Sequence, residues 1–393
     1  MSGLTPTKNS AVTDKSKWSN ATVNTQSGER LFDLTRDDDQ RMNQDTMQRF
    51  AANEIRVVAK DADEAGVTPK GFYNKTAELG LTLLPIPEAL GGAGMARSPV
   101  SNALNAEDLA WGDMALSLGA LTPQAFVNTL LDQGSDAQRE RFLPRFCEGT
   151  FVSATTALME PRATFDPMEP QCTANAIDGS YRLNGNKCMV PLGESAELTM
   201  VIAQLDEEGP AAFIVEGTPE GMTVKREEHM GLRTLELATL TFDNVQLPAE
   251  ALLGGRSFDL QRFVNLSRIG LCALAVGCCQ GVLDYVTEYV NERVAFGEPI
   301  SNRQAVAFMV ADMATELEAM RLMTWRAASR AEQGLDFHEQ AYLAKVACSE
   351  HAMKIGTDGV QLLGGHGFCR EHPVESWYRN LRAIAIMDGV ASV

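Results

Sequence analysis

The stretch from residue 151 to residue 254 limits the possible folds most strongly, because it interrupts a chain that otherwise has a helical pattern. It contains seven short runs rich in Val, Ile, Thr and Phe, separated by Gly, Asn and Asp. The pairs Asp178-Gly179 and Asn184-Gly185 are typical of hairpin turns. Pro248 and the pair Gly254-Gly255 end the last run. The pattern predicts a compact antiparallel β-domain of seven strands.

Helical patterns flank this β-domain on both sides. After residue 256 the helical segments are long, and small residues on the first of them permit close approach of neighbouring helices: Gly270, Ala273, Ala275, Gly277 and Gly281. We expect an α+β, mostly α fold. Its predicted parts are an N-terminal helical domain at 31–150, a β-barrel or sandwich domain at 151–255 and a C-terminal four-helix bundle at 256–393. Residues 1–30 are polar and are predicted to be a disordered tail.

The composition argues against several classes of function. The 393-residue chain has a formal net charge of −18, so a nucleic-acid partner is not expected, because phosphate binding requires a basic surface. No apolar run approaches the ~18–20 residues of a membrane span. Residues 1–30 have neither the apolar segment of a secretory signal nor the Arg-rich pattern of a transit peptide. The eight cysteines form no Cys-x-x-Cys pair, which is typical of reduced thiols in a cytoplasmic protein. No metal site is predicted.

The C-terminal stretch 361–393 contains the clearest candidate for a reactive group. An apolar helix end leads into a Gly-Gly-His-Gly turn, and a short charged helix and a second apolar run follow. That run ends at Met387-Asp388-Gly389. A carboxylate between an apolar run and a glycine, near a Gly-rich turn, is a candidate general base. Because Asp388 lies five residues from the last residue, we expect fraying of the chain end to loosen it.

Three motifs, together with the order of helical and β-rich regions, resemble the acyl-CoA dehydrogenase family. Residues Arg293 to Ile300, followed by Gln304, match the pattern R-x-x-F-G-x-P-[IL]…Q, and residues 361–379 match the family's C-terminal motif. The segment from His229 to Arg233, with the strand that leads to Pro248, is similar to the end of the family's β-domain. The similarity extends over roughly residues 35–393.

The resemblance implies FAD as cofactor and an acyl-CoA thioester as substrate. In this family a flavin accepts a hydride from the β-carbon while a carboxylate removes the α-proton. Asp388 would be that base, and its backbone N–H would donate to the thioester oxygen. The positions that match cofactor-binding residues of the family are Arg293, Phe296, Gln304, Gln361, Gly364, Gly365, Met159, Met189 and Pro191. Those that match substrate-binding positions are Arg268, Phe165 and Gly389.

Some of these positions have a second interpretation. Gly364 and Gly365 are also typical of a helix C-terminus, and Arg268 is also typical of a helix surface. The family's FAD lies across a subunit interface, so the resemblance implies a homotetramer or homodimer. It also implies electron-transfer flavoprotein, or a similar protein, as electron acceptor.

Four departures from the family pattern affect the candidate site. In the motif that begins the β-domain, Met159 replaces a hydroxyl residue and Phe165 a small one. Met189 and Pro191 replace the Trp and the hydroxyl residue of a flavin-contacting strand, and Pro has no N–H to donate. Asp388 is one methylene shorter than the usual Glu, and a shift of ~1 Å at a reacting group can cost about 100-fold in rate. The family continues for another helix beyond the point where this sequence ends.

Three functions are compatible with these residues. The first is FAD-dependent dehydrogenation of an acyl-CoA with Asp388 as base. The second is other flavin chemistry on the same fold, such as nitroalkane oxidation, in which an Asp at this position removes a carbon-bound proton. An alternative base position of the family falls on Ser267, which is not a carboxylate. The third is a flavin-free or catalytically impaired member that acts as a scaffold or assembly subunit, which the substitutions at Phe165, Met189 and Pro191 favour.

Overall fold

The computed structural model describes residues 35–255 and 258–393, which belong to one compact unit. The predicted tail at 1–30 lies outside the described residues. The N-terminal part is helical, and a π-helical turn at Ala51–Ile55 joins its first two helices. These helices are α1 (Asp38–Phe50), α2 (Arg56–Ala65), α3 (Phe72–Ala77), α4 (Pro99–Ala110), α5 (Met114–Gln133) and α6 (Asp136–Phe142).

The helix α5 begins at a buried N-cap. Asp113 is in the extended conformation, and its carboxylate accepts a hydrogen bond from the N–H of Leu116 at 2.9 Å. This satisfies one of the backbone donors that the first turn of a helix leaves without a partner. Asp113 is only 4% exposed, so the capping charge is held away from water.

We expect Asp113→Asn to stabilise the protein at neutral pH. Burial raises the pKa of the Asp113 carboxyl to about 6. A carboxyl whose pKa is higher in the folded state contributes stability below its unfolded value of ~3.9. This contribution is lost as the pH rises through about 6. Asn caps helices as well as Asp does and carries no charge. Urea titrations should therefore give a free energy of unfolding higher by about 1–3 kcal/mol near pH 7.5, and a difference that vanishes near pH 4.

The matched control is Asp136→Asn, in the first turn of α6, where the side chain is 91% exposed. The same chemical change at an exposed carboxylate should produce no comparable dependence on pH. A stability difference for Asp113→Asn that stays constant over this pH range would contradict the prediction.

The middle of the chain forms the predicted strands. They are β1 (Ala154–Ala157), β2 (Thr173–Ile177), β3 (Ser180–Val190), β4 (Leu198–Leu205), β5 (Gly209–Glu216), β6 (Met222–Arg226) and β7 (Ala238–Leu247). The order in the sheet is β1-β4-β2-β3-β7-β6, and β5 pairs with β4. The prediction of a wholly antiparallel sheet is wrong, because β1 and β2 both run parallel to β4. Neither β1 nor β2 is directly followed by β4 in the chain, so no hairpin turn determines their direction relative to β4.

Of the two predicted turns in the β-domain, one is correct and one is not. Asp178 and Gly179 have φ values of +49° and +77° and connect β2 to β3 as a hairpin. Asn184 and Gly185 lie inside β3, where the pairing with β7 shifts register. A Cβ at Gly185 would lie 2.8 Å from the Cα of Cys172, so the glycine permits a close approach within the sheet.

The C-terminal part is the predicted helical bundle. Its helices are α7 (Leu260–Glu292), α8 (Gln304–Glu332), α9 (His338–Leu362) and α10 (Val374–Leu381), with the short strands β8 (Val294–Ala295) and β9 (Glu298–Pro299) between α7 and α8. The helix α7 packs against α4, α8 and α9. As predicted, the small residues on α7 permit close helix packing, because a Cβ at Gly277 would overlap the carbonyl oxygen of Glu107 on α4.

Two helices correct the expectation that no apolar segment reaches the length of a membrane span. Both α5 and α7 are long and apolar enough by length and composition alone. Their most apolar windows are 89% and 78% buried inside the protein. Burial of this extent is what core helices of a folded protein show, so length and composition are weak evidence for a span here.

Candidate active site

The predicted base, Asp388, lies in a turn that follows α10. The helix α10 is anchored by Arg379, whose guanidinium pairs with Glu375 on the same helix at 2.7 Å and with Asp63 on α2 at 2.5 Å. Arg379 also donates to the carbonyl oxygen of Met230, between β6 and β7. These contacts tie the segment before Asp388 to both the N-terminal helices and the β-domain.

Two cations flank the Asp388 carboxylate. Its Oδ1 atom is 3.3 Å from Nζ of Lys345 on α9 and 3.5 Å from Nε of Arg268 on α7. The side chains of Asp388, Lys345 and Arg268 are only 18, 11 and 13% exposed. The two positive charges compensate a negative charge that would be costly to bury alone. Arg268 therefore faces the candidate base, and the interpretation of it as a surface arginine is wrong.

The peptide group between Met387 and Asp388 is also hydrogen-bonded to Lys345. The Lys345 ammonium donates a hydrogen bond to the carbonyl oxygen of Met387. At the other end of this peptide group, the N–H of Asp388 points to Sδ of Met159, with an N···S distance of 3.4 Å. A thioether is a weak acceptor, so this N–H keeps the capacity to donate to a ligand.

The shape of the turn requires a glycine at position 389. Gly389 has a φ of +74°, and a Cβ there would overlap the side chain of Leu158 in the loop after β1. The hydroxyl of Thr156 on β1 donates to the carbonyl oxygen of Gly389. The close approach of this turn to the β-domain is therefore possible only without a side chain at 389.

The prediction that the chain end loosens Asp388 is wrong. The residues at 390–393 are all buried. Arg97 donates to the carbonyl oxygen of Val393 at 2.8 Å, and Asn128 on α5 donates to that of Ser392 at 3.4 Å. Position in the sequence favoured fraying, but hydrogen bonds and burial hold this segment in the core beside the base.

A buried ion pair supports the loop that carries Met159. Lys187 on β3 is fully buried, and its ammonium donates to Oε1 of Glu160 at 2.8 Å and to the carbonyl oxygen of Leu158 at 2.9 Å. Glu160 also accepts from two backbone N–H groups just before β2. Burial alone would raise the pKa of the Glu160 carboxyl, but Lys187 and these N–H groups hold it below its usual value.

The structure places two other residues of the region without assigning them a ligand. Phe165 is half-buried between two parts of the hydrophobic core, and the guanidinium of Arg162 lies 5.7 Å from its ring centre. Ser267, next to Arg268, is fully buried, and its hydroxyl has no hydrogen-bond partner within the described residues. Substrate contact by Phe165 stays a prediction.

At the end of β3 the predicted flavin-contacting residues offer apolar surface instead of hydrogen bonds. Met189 has a φ of +51°, and its N–H donates to Oε1 of Glu227 at 3.0 Å. Glu227 also accepts from the hydroxyl of Thr239 at 2.6 Å and contacts the ring of His229 at 2.7 Å. Pro191 is buried and has no N–H. The half-buried Met189 side chain is therefore the apolar group that this edge leaves partly accessible, and contact of Pro191 with a cofactor stays a prediction.

The other predicted cofactor residues lie around the far end of α7. A cleft of about 320 Å³ is lined by Tyr289, Arg293, Ile300, Gln361, Leu362, Leu363, Gly364, Gly365 and His366. Gly364 has a φ of +56°, and the Cβ positions of Gly364 and Gly365 both face open space. The two glycines follow the end of α9, so they are a helix terminus and also part of the cleft. Phe296 is 97% exposed, and Gln304 is an exposed first residue of α8.

Many of the predicted site residues thus belong to two separate groups. Arg268 lies on α7, and Arg293 caps the C-terminal end of the same helix 25 positions later, which corresponds to about 37 Å along a helix. One group surrounds Asp388 with Arg268, Met159 and Gly389, and the other lines the cleft at Arg293. A single chain does not bring the two groups together.

Sequence reasoning missed several residues of these groups: Lys345, Thr156, Glu227, Tyr289 and His366. Lys345 had a usable signal. It is a lone lysine on the face of α9 formed by Ala341, Ala344 and Cys348, all of which are buried. A lysine among apolar residues at helical spacing must find an acidic or carbonyl partner. The sequence does not identify that partner.

Comparison with known proteins agrees with this geometry. Family models described as the acyl-CoA dehydrogenase N-terminal, middle and C-terminal domains match residues 37–150, 155–245 and 255–393. The mitochondrial short-chain specific acyl-CoA dehydrogenase of Rattus norvegicus is 32% identical over 357 residues, covering 88% of this chain and 86% of that protein.

Two solved structures have the same fold. Butyryl-CoA dehydrogenase from Megasphaera elsdenii superposes with a TM-score of 0.83 at 31% identity, over 90% of this chain and 95% of the other. The FAD complex of PigA superposes with a TM-score of 0.84 at 25% identity, over 91% and 95%. The three matched domains span most of the sequence in the expected order, and the site around Asp388 is built where two of them meet. The chain therefore belongs to the acyl-CoA dehydrogenase family.

Proposed function

We propose that this family member oxidises an acyl-CoA between its α- and β-carbons, and that Asp388 is the base that removes the α-proton. One observation carries the proposal. The carboxylate of Asp388 and its weakly engaged backbone N–H lie side by side, with Arg268 and Lys345 on the carboxylate. A base and a donor to the thioester oxygen are the two groups that removal of an α-proton requires.

The residues of the chain would act in the following way. The α C–H bond breaks, its proton passes to a carboxylate oxygen of Asp388, and its electron pair moves toward the thioester carbonyl and then forms the double bond between the α- and β-carbons as the hydride leaves. The carbonyl oxygen gains negative charge and accepts a hydrogen bond from the N–H of Asp388. When bound, FAD supplies the acceptor for the hydride that leaves the β-carbon. The neighbouring helices and the buried segment at 390–393 hold the base in place.

The residues around the cleft fit the nucleotide part of FAD. Arg293 provides a guanidinium, and Gly364 and Gly365 leave their backbone open to a ligand. Guanidinium groups and exposed backbone are common partners of a pyrophosphate. For the flavin ring, the half-buried Met189 would provide apolar packing. The solved relative PigA is a complex with FAD, which supports the same cofactor here.

The separation of the two groups of residues supports a homo-oligomer, either a tetramer or a dimer. The cleft of one subunit would then hold the nucleotide part of a cofactor that serves the candidate base of another. Phe296, Phe308 and Phe368 are 97, 60 and 92% exposed, and burial of such side chains between copies of the chain would be favourable. Electron-transfer flavoprotein or a similar protein would reoxidise the cofactor.

The test is the visible spectrum of the purified protein, followed by titration with short, medium and long acyl-CoAs. We expect a flavin spectrum that bleaches when an acyl-CoA is added. The short chains are the first to test, because the relatives from rat and Megasphaera are named for short-chain and butyryl substrates. A protein that stays colourless after incubation with FAD would contradict the proposal. Bleaching by a nitroalkane and not by acyl-CoA would support the alternative chemistry, which the relatives do not favour.

A further inference from the structure

We propose that Lys345 polarises the Met387–Asp388 peptide group so that its N–H stabilises the negative charge that develops on the thioester oxygen. This inference rests on the proposed function. Lys345 would be a positioning residue for this reaction, since it acts through the peptide group and the carboxylate of Asp388. The carboxylate contact is 3.3 Å, and the second contact is to the Met387 carbonyl oxygen.

The position of Lys345 differs from that expected for a lysine that forms an ion pair only for stability. The residue is 9% exposed on a helix face whose other members are apolar. An apolar side chain of similar length would avoid the cost of burying an ammonium group. Both acceptors of Lys345 belong to the same short segment, Met387 and Asp388, so the lysine acts on the reacting residue and on the amide that precedes it.

The direction of the effect follows from the structure of an amide. A positive charge at the carbonyl oxygen draws electron density through the amide and makes its N–H a stronger donor. Linked hydrogen bonds strengthen each other in this way, most of all where one partner is charged and the surroundings are poorly solvated. The N–H at the far end of this amide is that of Asp388, which currently faces the weak acceptor Sδ of Met159. Its stronger donation is therefore available to a carbonyl oxygen of the ligand.

The proton transfer itself increases the effect. Before the transfer, the Lys345 ammonium divides its interaction between the Met387 carbonyl and the charged Asp388 carboxylate. When Asp388 accepts the α-proton, the carboxylate becomes neutral, and the ammonium acts more fully on the Met387 carbonyl. At the same moment the thioester oxygen gains its charge. Stabilisation that is greater in the transition state than in the ground state raises kcat rather than affinity.

The first test compares Lys345→Met with the unmodified holoenzyme. Loss of one charge-assisted hydrogen bond should lower kcat by about 10–100-fold, with KM changed only a few-fold. Lys345→Gln, which keeps a donor for the Met387 carbonyl without the charge, should give an intermediate value. Lys354→Met is the matched control, because Lys354 lies on the same helix and is 48% exposed.

The second test distinguishes the effect of Lys345 on the Met387–Asp388 peptide group from its effect on the Asp388 carboxylate. An acyl-CoA with sulfur in place of the β-carbon can lose its α-proton but cannot transfer a hydride, and its enolate next to an oxidised flavin gives a long-wavelength absorbance. In the Asp388→Asn background the proton is lost to solvent, so the midpoint pH of this absorbance reports enolate stabilisation alone. Adding Lys345→Met should raise that midpoint by about 1–2 pH units, the equivalent of a 10–100-fold loss.

An unchanged midpoint would overturn the inference, because a lysine that only holds the carboxylate has nothing to hold in Asp388→Asn. Flavin content and the thermal midpoint of unfolding show whether each variant is folded. If Lys345→Met does not fold, Lys345→Gln in the Asp388→Asn background gives the same comparison, with a smaller expected shift of the midpoint pH. An unmodified protein that no acyl-CoA bleaches would overturn the proposed function and this inference with it. An active unmodified protein with an unchanged midpoint in the double variant would overturn this inference alone.

Discussion

Asp388→Asn should lower kcat for a short acyl-CoA by about 10²–10⁴-fold, the range that a positioned general base contributes. The substitution removes the proton acceptor and keeps the size of the side chain and the backbone N–H. KM should change little, because the groups that hold the thioester stay in place. The measurement is steady-state reduction of an artificial electron acceptor, together with the rate of flavin bleaching in a single turnover.

Two further variants make this result specific. Asp388→Glu keeps the charge, so we expect its kcat to stay within about 100-fold of the unmodified protein, the cost of a displacement of ~1 Å. A rate increase would show that the reach of Asp388 limits the reaction. Asp312→Asn, at an exposed position on α8, is the control and should leave kcat unchanged. Full activity of Asp388→Asn would remove the assignment of the base.

Lys187→Met should destabilise the protein by about 3–5 kcal/mol, the cost of breaking a buried ion pair by removal of one partner. The side chain of Glu160 is only 4% exposed, and the variant removes the Lys187 ammonium that lies 2.8 Å from it, so the more distant Arg162 guanidinium, at 3.5 Å, becomes its nearest cation. The carbonyl oxygen of Leu158 would also lose its donor. The measurement is the free energy of unfolding of the protein from guanidinium titrations at neutral pH.

The pH dependence and a double variant test the cause of this loss. The pKa of Glu160 is lowered in the folded state, because Lys187 and backbone N–H groups outweigh its burial. Its stabilisation is therefore present above the unfolded value of ~4.3 and is lost as the pH falls further. Adding Glu160→Gln to Lys187→Met should recover part of the stability, because the buried carboxylate that lost its nearest cation is then replaced by a neutral amide. Lys225→Met, at an exposed position on β6, is the control and should lower the free energy of unfolding only slightly. If Lys187→Met lowers it by an equally small amount, the Lys187–Glu160 ion pair does not support the loop that carries Met159.

The sequence predicted the positions of the elements well, because those positions depend on local pattern. The alternating apolar runs of the β-domain and the long apolar segments after residue 256 correspond to β1–β7 and α7–α9. The direction of β1 and β2 against β4 could not be predicted, since no short turn joins those strands. Asn184-Gly185 misled the prediction because glycine serves a bulge as well as a turn.

Within the candidate site, motif spacing identified Asp388, and the structure places Arg268 and Met159 next to it. The same spacing did not identify Lys345, which is 43 positions away on another helix. The prediction for the end of the chain was also wrong. The position of Asp388 near the last residue favoured fraying, but the structure shows that residues 390–393 are buried. In each case the missing information is a contact between residues that are distant in the sequence.

The sequence by itself determined the helix and strand pattern, the family resemblance and the identity of the candidate base. These follow from periodicity and from motifs whose residues are close in the chain. Only the tertiary structure decided that Asp388 is flanked by two cations and that Lys345 reaches the amide before it. The charges of one site come from α7, α9 and the turn after α10, and their proximity results from packing, which no local pattern records.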